Sequence, residues 1–238
     1  SQLISRYFLR RHGSRLATIL RQIADMILGV SPVLFISLVI FELLVLSVEV
    51  PVQQAAWGVV TLTFLAGAIG SAVAMMPMVV KFRFTSPRLQ APVRFMQMTD
   101  VHIGSRSKGF LDKVVDRINR EKPDFLCITG DFIDATGVPE SDLVALKSVI
   151  GPIYYCTGNH EKYEDFDAIM QRLNNLCVKI LRDETTMHRD DIQIIGIYDM
   201  EDPFQVEKQL KHFALNADAL KDLLYHSARG HKEARYNQ

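Results

Sequence analysis

Residues 26–80 contain no Lys, Arg or Asp, and their only charges are Glu42 and Glu49. A helix needs about 20 consecutive apolar residues to cross the hydrocarbon core of a bilayer. Residues 26–48 and 55–80 each reach that length, with a short polar link containing Pro51 between them. A helix of this length in a soluble core normally keeps a polar face. We therefore read a hairpin of two transmembrane helices. Gly67 and Gly70–Ser71 in the second span offer points of close helix packing. Glu42, inside the first span, is costly there and so a candidate functional group.

The flanks set an orientation. Arg6, Arg10, Arg11, Arg15 and Arg21 precede the first span, and Lys81, Arg83, Arg88 and Arg94 follow the second, whereas the connecting link has no Lys or Arg. The positive-inside rule then places both ends in the cytoplasm. The expectation is a multi-pass protein of the inner membrane whose remaining domain faces the cytoplasm. Residues 6–21 interleave Arg with Leu and Ile and read either as an amphipathic helix on the anionic leaflet or as a solvated basic N-terminus. A cleaved signal peptide does not fit, because the apolar stretch is too long, starts late and is followed at once by another.

The net charge of zero conceals +5 over residues 1–88 and −5 over residues 89–238. Two bodies follow: a basic membrane unit, 1–88, and a second domain, 93–238, joined by a linker around Pro87 and Pro92. Nothing in this balance gives a global basic field, so no nucleic-acid partner is expected. Three cysteines are too few, and odd in number, for a disulfide framework, and reduced thiols in a cytosolic compartment are expected.

Beyond Pro92 the pattern alternates. Residues 93–99, 125–129, 153–157, 178–181, 192–197 and 223–225 read as strands, with 182–191 as a polar turn region. Residues 109–121, 141–149, 166–176 and 206–213 read as helices, Ser141 serving as an N-cap. Such alternation implies an α/β domain with a largely parallel sheet. In open α/β sheets the chemistry sits beyond the carboxyl ends of the strands. Three successive strands end in Asp100-Val-His102, Gly130-Asp131 and Gly158-Asn159-His160.

These residue types suit a pair of hard or borderline cations such as Mn, Fe, Zn or Ni. Asp100 and His102 present their side chains to one side if the local backbone is extended. Asp131 has two oxygens and can bridge, and Asn159 offers a carbonyl oxygen. Two metals about 3.5–4 Å apart can clamp a phosphate and generate a hydroxide at neutral pH. His160 then lies over the site as a candidate general acid or phosphoryl-oxygen donor.

Asp100-Val-His102, Gly130-Asp131-Phe-Ile-Asp134 and Gly158-Asn159-His160-Glu161 resemble the first three motifs of the calcineurin-like metallophosphoesterases. With the basic N-terminus and the spans, the chain is similar to the membrane-anchored bacterial branch of that family. The resemblance covers residues 93 to about 226. It implies a four-layer αββα sandwich with a two-metal site, here partial. It further implies that Asp100 and His102 hold the first metal, that Asp131 bridges, that Asn159 holds the second, and that His160 is catalytic. His226, after Leu223-Leu-Tyr, resembles a later histidine motif and is a candidate second-metal ligand. Asp134 reads as a turn residue or a support behind the ligands.

The sequence also departs from the pattern. A downstream Gly-His-x-His is absent; Gly230-His231-Lys232-Glu233 imitates it too close to His226. Tyr198 stands where relatives tend to have an acidic residue. A C-terminally truncated version of a longer enzyme is therefore expected. The leading expectation is a membrane-anchored phosphoesterase acting on phosphomonoesters or phosphodiesters through a metal-activated hydroxide. The tether points to a lipid phosphate or cell-envelope precursor as substrate, with a soluble nucleotide or phosphoprotein as the other candidates. The alternative is a catalytically impaired homologue acting as a non-enzymatic membrane protein.

Overall fold

The computed structural model describes residues 15–48, 51–198 and 205–226. The chain divides into two compact units, Ser1–Met78 and Val79–Gln238. In the first, α1 (Arg15–Ser47) and α2 (Val52–Ala74) form an antiparallel hairpin, with Gly58 against Phe41 and Gly67 against Val30. Gly67 thus lies at the helix contact, as its size predicts, whereas Gly70 faces open space. Met26–Ser47 and Val52–Ala74 are long and apolar enough to cross a membrane, and only 6% of each span is buried within the protein. A core helix of a soluble fold would be mostly covered, whereas these two spans leave most of their apolar surface exposed. Glu42 is exposed. The second helix stops at Ala74, short of the expected residue 80. Pro77 explains this, because its ring disfavours helical backbone at the residue before it.

In the second unit, β1 (Phe95–Met98), β2 (Phe125–Thr129), β3 (Ile153–Cys156) and β4 (Val178–Ile180) form a parallel sheet in the order β1-β2-β3-β4. All five residues of β2 are buried, as a strand covered on both faces requires. Alternation along it divides the core. Leu126 and Ile128 pack with Leu111, Val115 and Ile118 of α3 (Lys108–Arg120). Ile169 and Leu173 of α5 (Phe166–Asn175), whose cap Asp165 accepts from the Ala168 N–H, join the same cluster. Phe125 and Cys127 face the opposite way, onto Ile192, Ile194 and Leu224 of a second sheet.

That sheet has the order β5 (Glu184–Arg189), β6 (Ile192–Gly196), β7 (Leu220–Leu224), with β5 antiparallel and β7 parallel to β6. Ile195 points outward to Val206 and Leu210 of α6 (Gln205–Leu210). Helices, sheet, sheet, helix: the four layers of an αββα sandwich follow from which face each strand residue takes.

Four local expectations are corrected. Segment 182–191 is not a turn region, because Glu184–Arg189 pairs with β6. Its polar composition belongs to an edge strand, where charge blunts the exposed ladder. The helix expected at 141–149 is α4 (Glu140–Leu143) followed by a 3₁₀ turn, Val144–Ser148, and its N-cap is Pro139 rather than Ser141. The expected helix at 206–213 shortens to Gln205–Leu210, and β7 begins three residues before 223.

Candidate metal centre

Register brings the three tips to one rim. Met98 pairs with Ile128, and Thr129 pairs with Cys156, so β1, β2 and β3 end side by side. Beyond the strands the backbone pairing continues, with Asp100 N–H donating to Gly130 O at 3.2 Å and His102 N–H to Asp131 O at 3.0 Å. The backbone at the first tip is not extended. Asp100, His102 and Asp131 have φ of 54°, 55° and 50°. The left-handed region is uncommon for residues with a Cβ and clusters at functional sites. Here the chain must turn off the sheet while keeping these bonds. Two glycines make room. A Cβ on Gly158 would overlap the Asp131 carboxyl group, and one on Gly130, whose φ is 83°, would collide with the Gly158 backbone.

Two groups of donors converge. His102, Asp131 and His160 place one ligand atom each within 4.8 Å of one another, and so do Asp100, Asp131 and His226. Asp131 belongs to both. The ring of His226 arrives from the second sheet, just past β7. Its Nδ1 lies 2.9 Å from the Thr129 carbonyl, and its Nε2 lies 3.1 Å from Asn159 Oδ1 and 3.3 Å from Asp131 Oδ2. A proton on Nδ1 donated to that carbonyl leaves Nε2 as the ligating atom. His160 N–H donates to Asp131 Oδ1 at 2.9 Å, and its Nε2 lies 3.7 Å from Oδ2. The His102 and His160 rings meet edge to face at 4.8 Å. His102 Nε2 is 3.8 Å from Asp100 Oδ1, while its Nδ1 faces Asp134 Oδ2 at 3.6 Å. All six expected residues thus lie together; His231 lies outside the described residues.

The electrostatics follow from this crowding. Burial would push the Asp131 carboxyl up, but hydrogen bonds from the His226 ring and the His160 N–H outweigh it and hold the group below the usual range. The hydrogen bond to Asp131 raises the His226 imidazole to about 9 despite its desolvation. Asp134 raises His102 in the same way.

One further residue of the third motif joins the site. Glu161 is fully buried, and its carboxyl oxygens accept the N–H groups of Asp131 (3.1 Å), Phe132 (2.6 Å), Ile133 (3.2 Å) and Gly158 (3.1 Å). The signal in the sequence was a charged side chain directly after Gly-Asn-His, in a segment that the fold buries.

Residues 93–234, which carry this three-histidine, two-aspartate, one-amide cluster, match the calcineurin-like phosphoesterase family. The chain belongs to that family. It is 32% identical to an uncharacterized metallophosphoesterase of Helicobacter pylori over 117 residues, 47% of this chain and 31% of that protein. A metallophosphoesterase of Campylobacter jejuni is 28% identical over 119 residues, 48% of this chain and 32% of that one. A zebrafish (Danio rerio) transmembrane protein with metallophosphoesterase domain is 30% identical over 130 residues, 46% of this chain and 28% of that protein. The matched stretches are thus about a third of these relatives' length.

Proposed function

We propose that the chain is a membrane-tethered, metal-dependent phosphoesterase hydrolysing phosphomonoesters or phosphodiesters. The observation that carries this reading is Asp131, one buried carboxylate shared by two converging donor groups. Asp100, His102, Asp131, Asn159 and His226 would hold two divalent cations, and the mixed carboxylate, imidazole and amide set fits Mn, Fe, Zn or Ni. Such a pair, when bound, supplies charge neutralisation of the phosphate and activation of water.

The chain's own groups do the rest. Asp134 fixes the His102 ring from behind, and the Thr129 carbonyl fixes His226, so both present Nε2 inward. The His160 imidazole, beside Asp131 but anchored through its own backbone N–H, is placed to protonate a leaving alkoxide or to donate to phosphoryl oxygens. Residues 1–88 act as the tether and 93–238 as the catalytic domain. The basic flanks favour an inner-membrane hairpin with both ends in the cytoplasm. Tethering raises the local concentration of substrates at the bilayer, which favours a lipid phosphate or an envelope precursor.

The test is manganese-dependent release of nitrophenol from mono- and bis-nitrophenyl phosphate by the full chain in detergent or nanodiscs. Asp131→Ala and chelation should each reduce release to background. Hydrolysis that survives either treatment would refute the assignment.

A further inference from the structure

We infer that Glu161 is a positioning residue that presets the metal centre by clasping the second and third strand tips together; this rests on the metal reading above. Three of its four bonds go to successive N–H groups, Asp131 to Ile133, and the fourth to Gly158. Successive backbone N–H groups around a left-handed residue form an anion-binding concavity. Here the residue is Asp131, with φ of 50°, and the anion is supplied from within the chain. The clasp is reciprocal. Glu161 takes the Asp131 N–H into its side chain, and Asp131 takes the His160 N–H into its own. The Asp131 carboxylate is thereby aimed before any cation arrives, and Asn159 and His160 are held at a fixed distance from it.

Gly130 and Gly158 have no side chains, and Asp131 Oδ1 is already engaged by His160 N–H. Buried N–H groups left without an acceptor are costly, so a tip deprived of Glu161 must rearrange or admit water. Either outcome moves the carboxylate that both donor groups share. Glutamine is the sharp substitution because it keeps shape and volume. Its carbonyl oxygen can serve only one pair of N–H groups, and its amide then opposes the other pair with donors of its own.

The experiment measures Mn(II) binding to the full chain by electron paramagnetic resonance, with circular dichroism as the fold control. For E161Q, still folded, the expected result is affinity weakened about 10- to 100-fold, the range typical of residues that orient ligands. E161D keeps the charge but is one methylene too short, and it should show a loss of the same order; it serves as the second variant if E161Q does not fold. Wild-type affinity in a folded variant overturns the positioning role and leaves the metal reading intact. Failure of the wild-type chain itself to bind Mn(II) overturns the metal reading, and this inference with it.

Discussion

The proton on His226 should compete directly with metal, and the size of that competition follows from the geometry. In the metal-free chain its Nε2 lies 3.1 Å from Asn159 Oδ1 and 3.3 Å from Asp131 Oδ2, and the imidazole is raised to about 9. Ligation needs the neutral ring. At pH 7, two units below that value, the ligating form is about one part in a hundred, so apparent affinity is reduced about 100-fold relative to pH 9 and above. Affinity should therefore rise by up to tenfold per pH unit and then level off near pH 9. The upward shift of His102 adds to proton release in the same direction.

Calorimetric titration of Zn(II) or Mn(II) in buffers of differing ionisation enthalpy counts the protons released. About one or more per chain is expected at pH 7, and His226→Ala should remove most of the slope. The stability of the metal-free chain runs the other way. A folded-state value raised above the unfolded one stabilises fully below the unfolded value near 6.5 and loses that contribution as pH rises through about 9. Thermal melts of the metal-free protein should fall across that window and should do so less in His226→Ala. Metal affinity independent of pH, with no protons released, would remove His226 from the ligand set.

Asp134→Asn should return the His102 titration toward its ordinary value, read by the imidazole resonances in NMR, and weaken Mn(II) binding about 10- to 100-fold. Ile194, fully buried between the two sheets, should cost about 2–5 kcal/mol on truncation to Ala in chemical denaturation. A cost under about 1 kcal/mol there would mean that the sheets are not packed face to face in solution.

Much of this protein was legible from sequence because the signals are local. The two apolar spans declare themselves by length and absence of charge. Where the second one ends is misjudged by apolarity alone, at residue 80 rather than Ala74, because that leaves out the effect of Pro77 on the residue before it. The buried run Phe125–Thr129 reads as a doubly covered strand, and the polar triplets after three strands mark the rim. What the sequence did not reveal depends on neighbours distant along the chain. Glu184–Arg189 looks like a turn until β6 lies beside it, because an edge strand keeps its polar side chains and contributes only backbone bonds. His226 was legible as a candidate ligand only through its resemblance to a later histidine motif, not from spacing. Its placement follows from β7 packing parallel to β6 close to β2, which delivers the ring to the Thr129 carbonyl. Glu161 is the sharpest case. Spelling alone makes it one more charged residue after a histidine, whereas the fold buries it among four N–H groups that it alone satisfies. Residue types fixed which chemistry was possible. The register of two sheets, set by which face each strand residue buries, decided which donors meet.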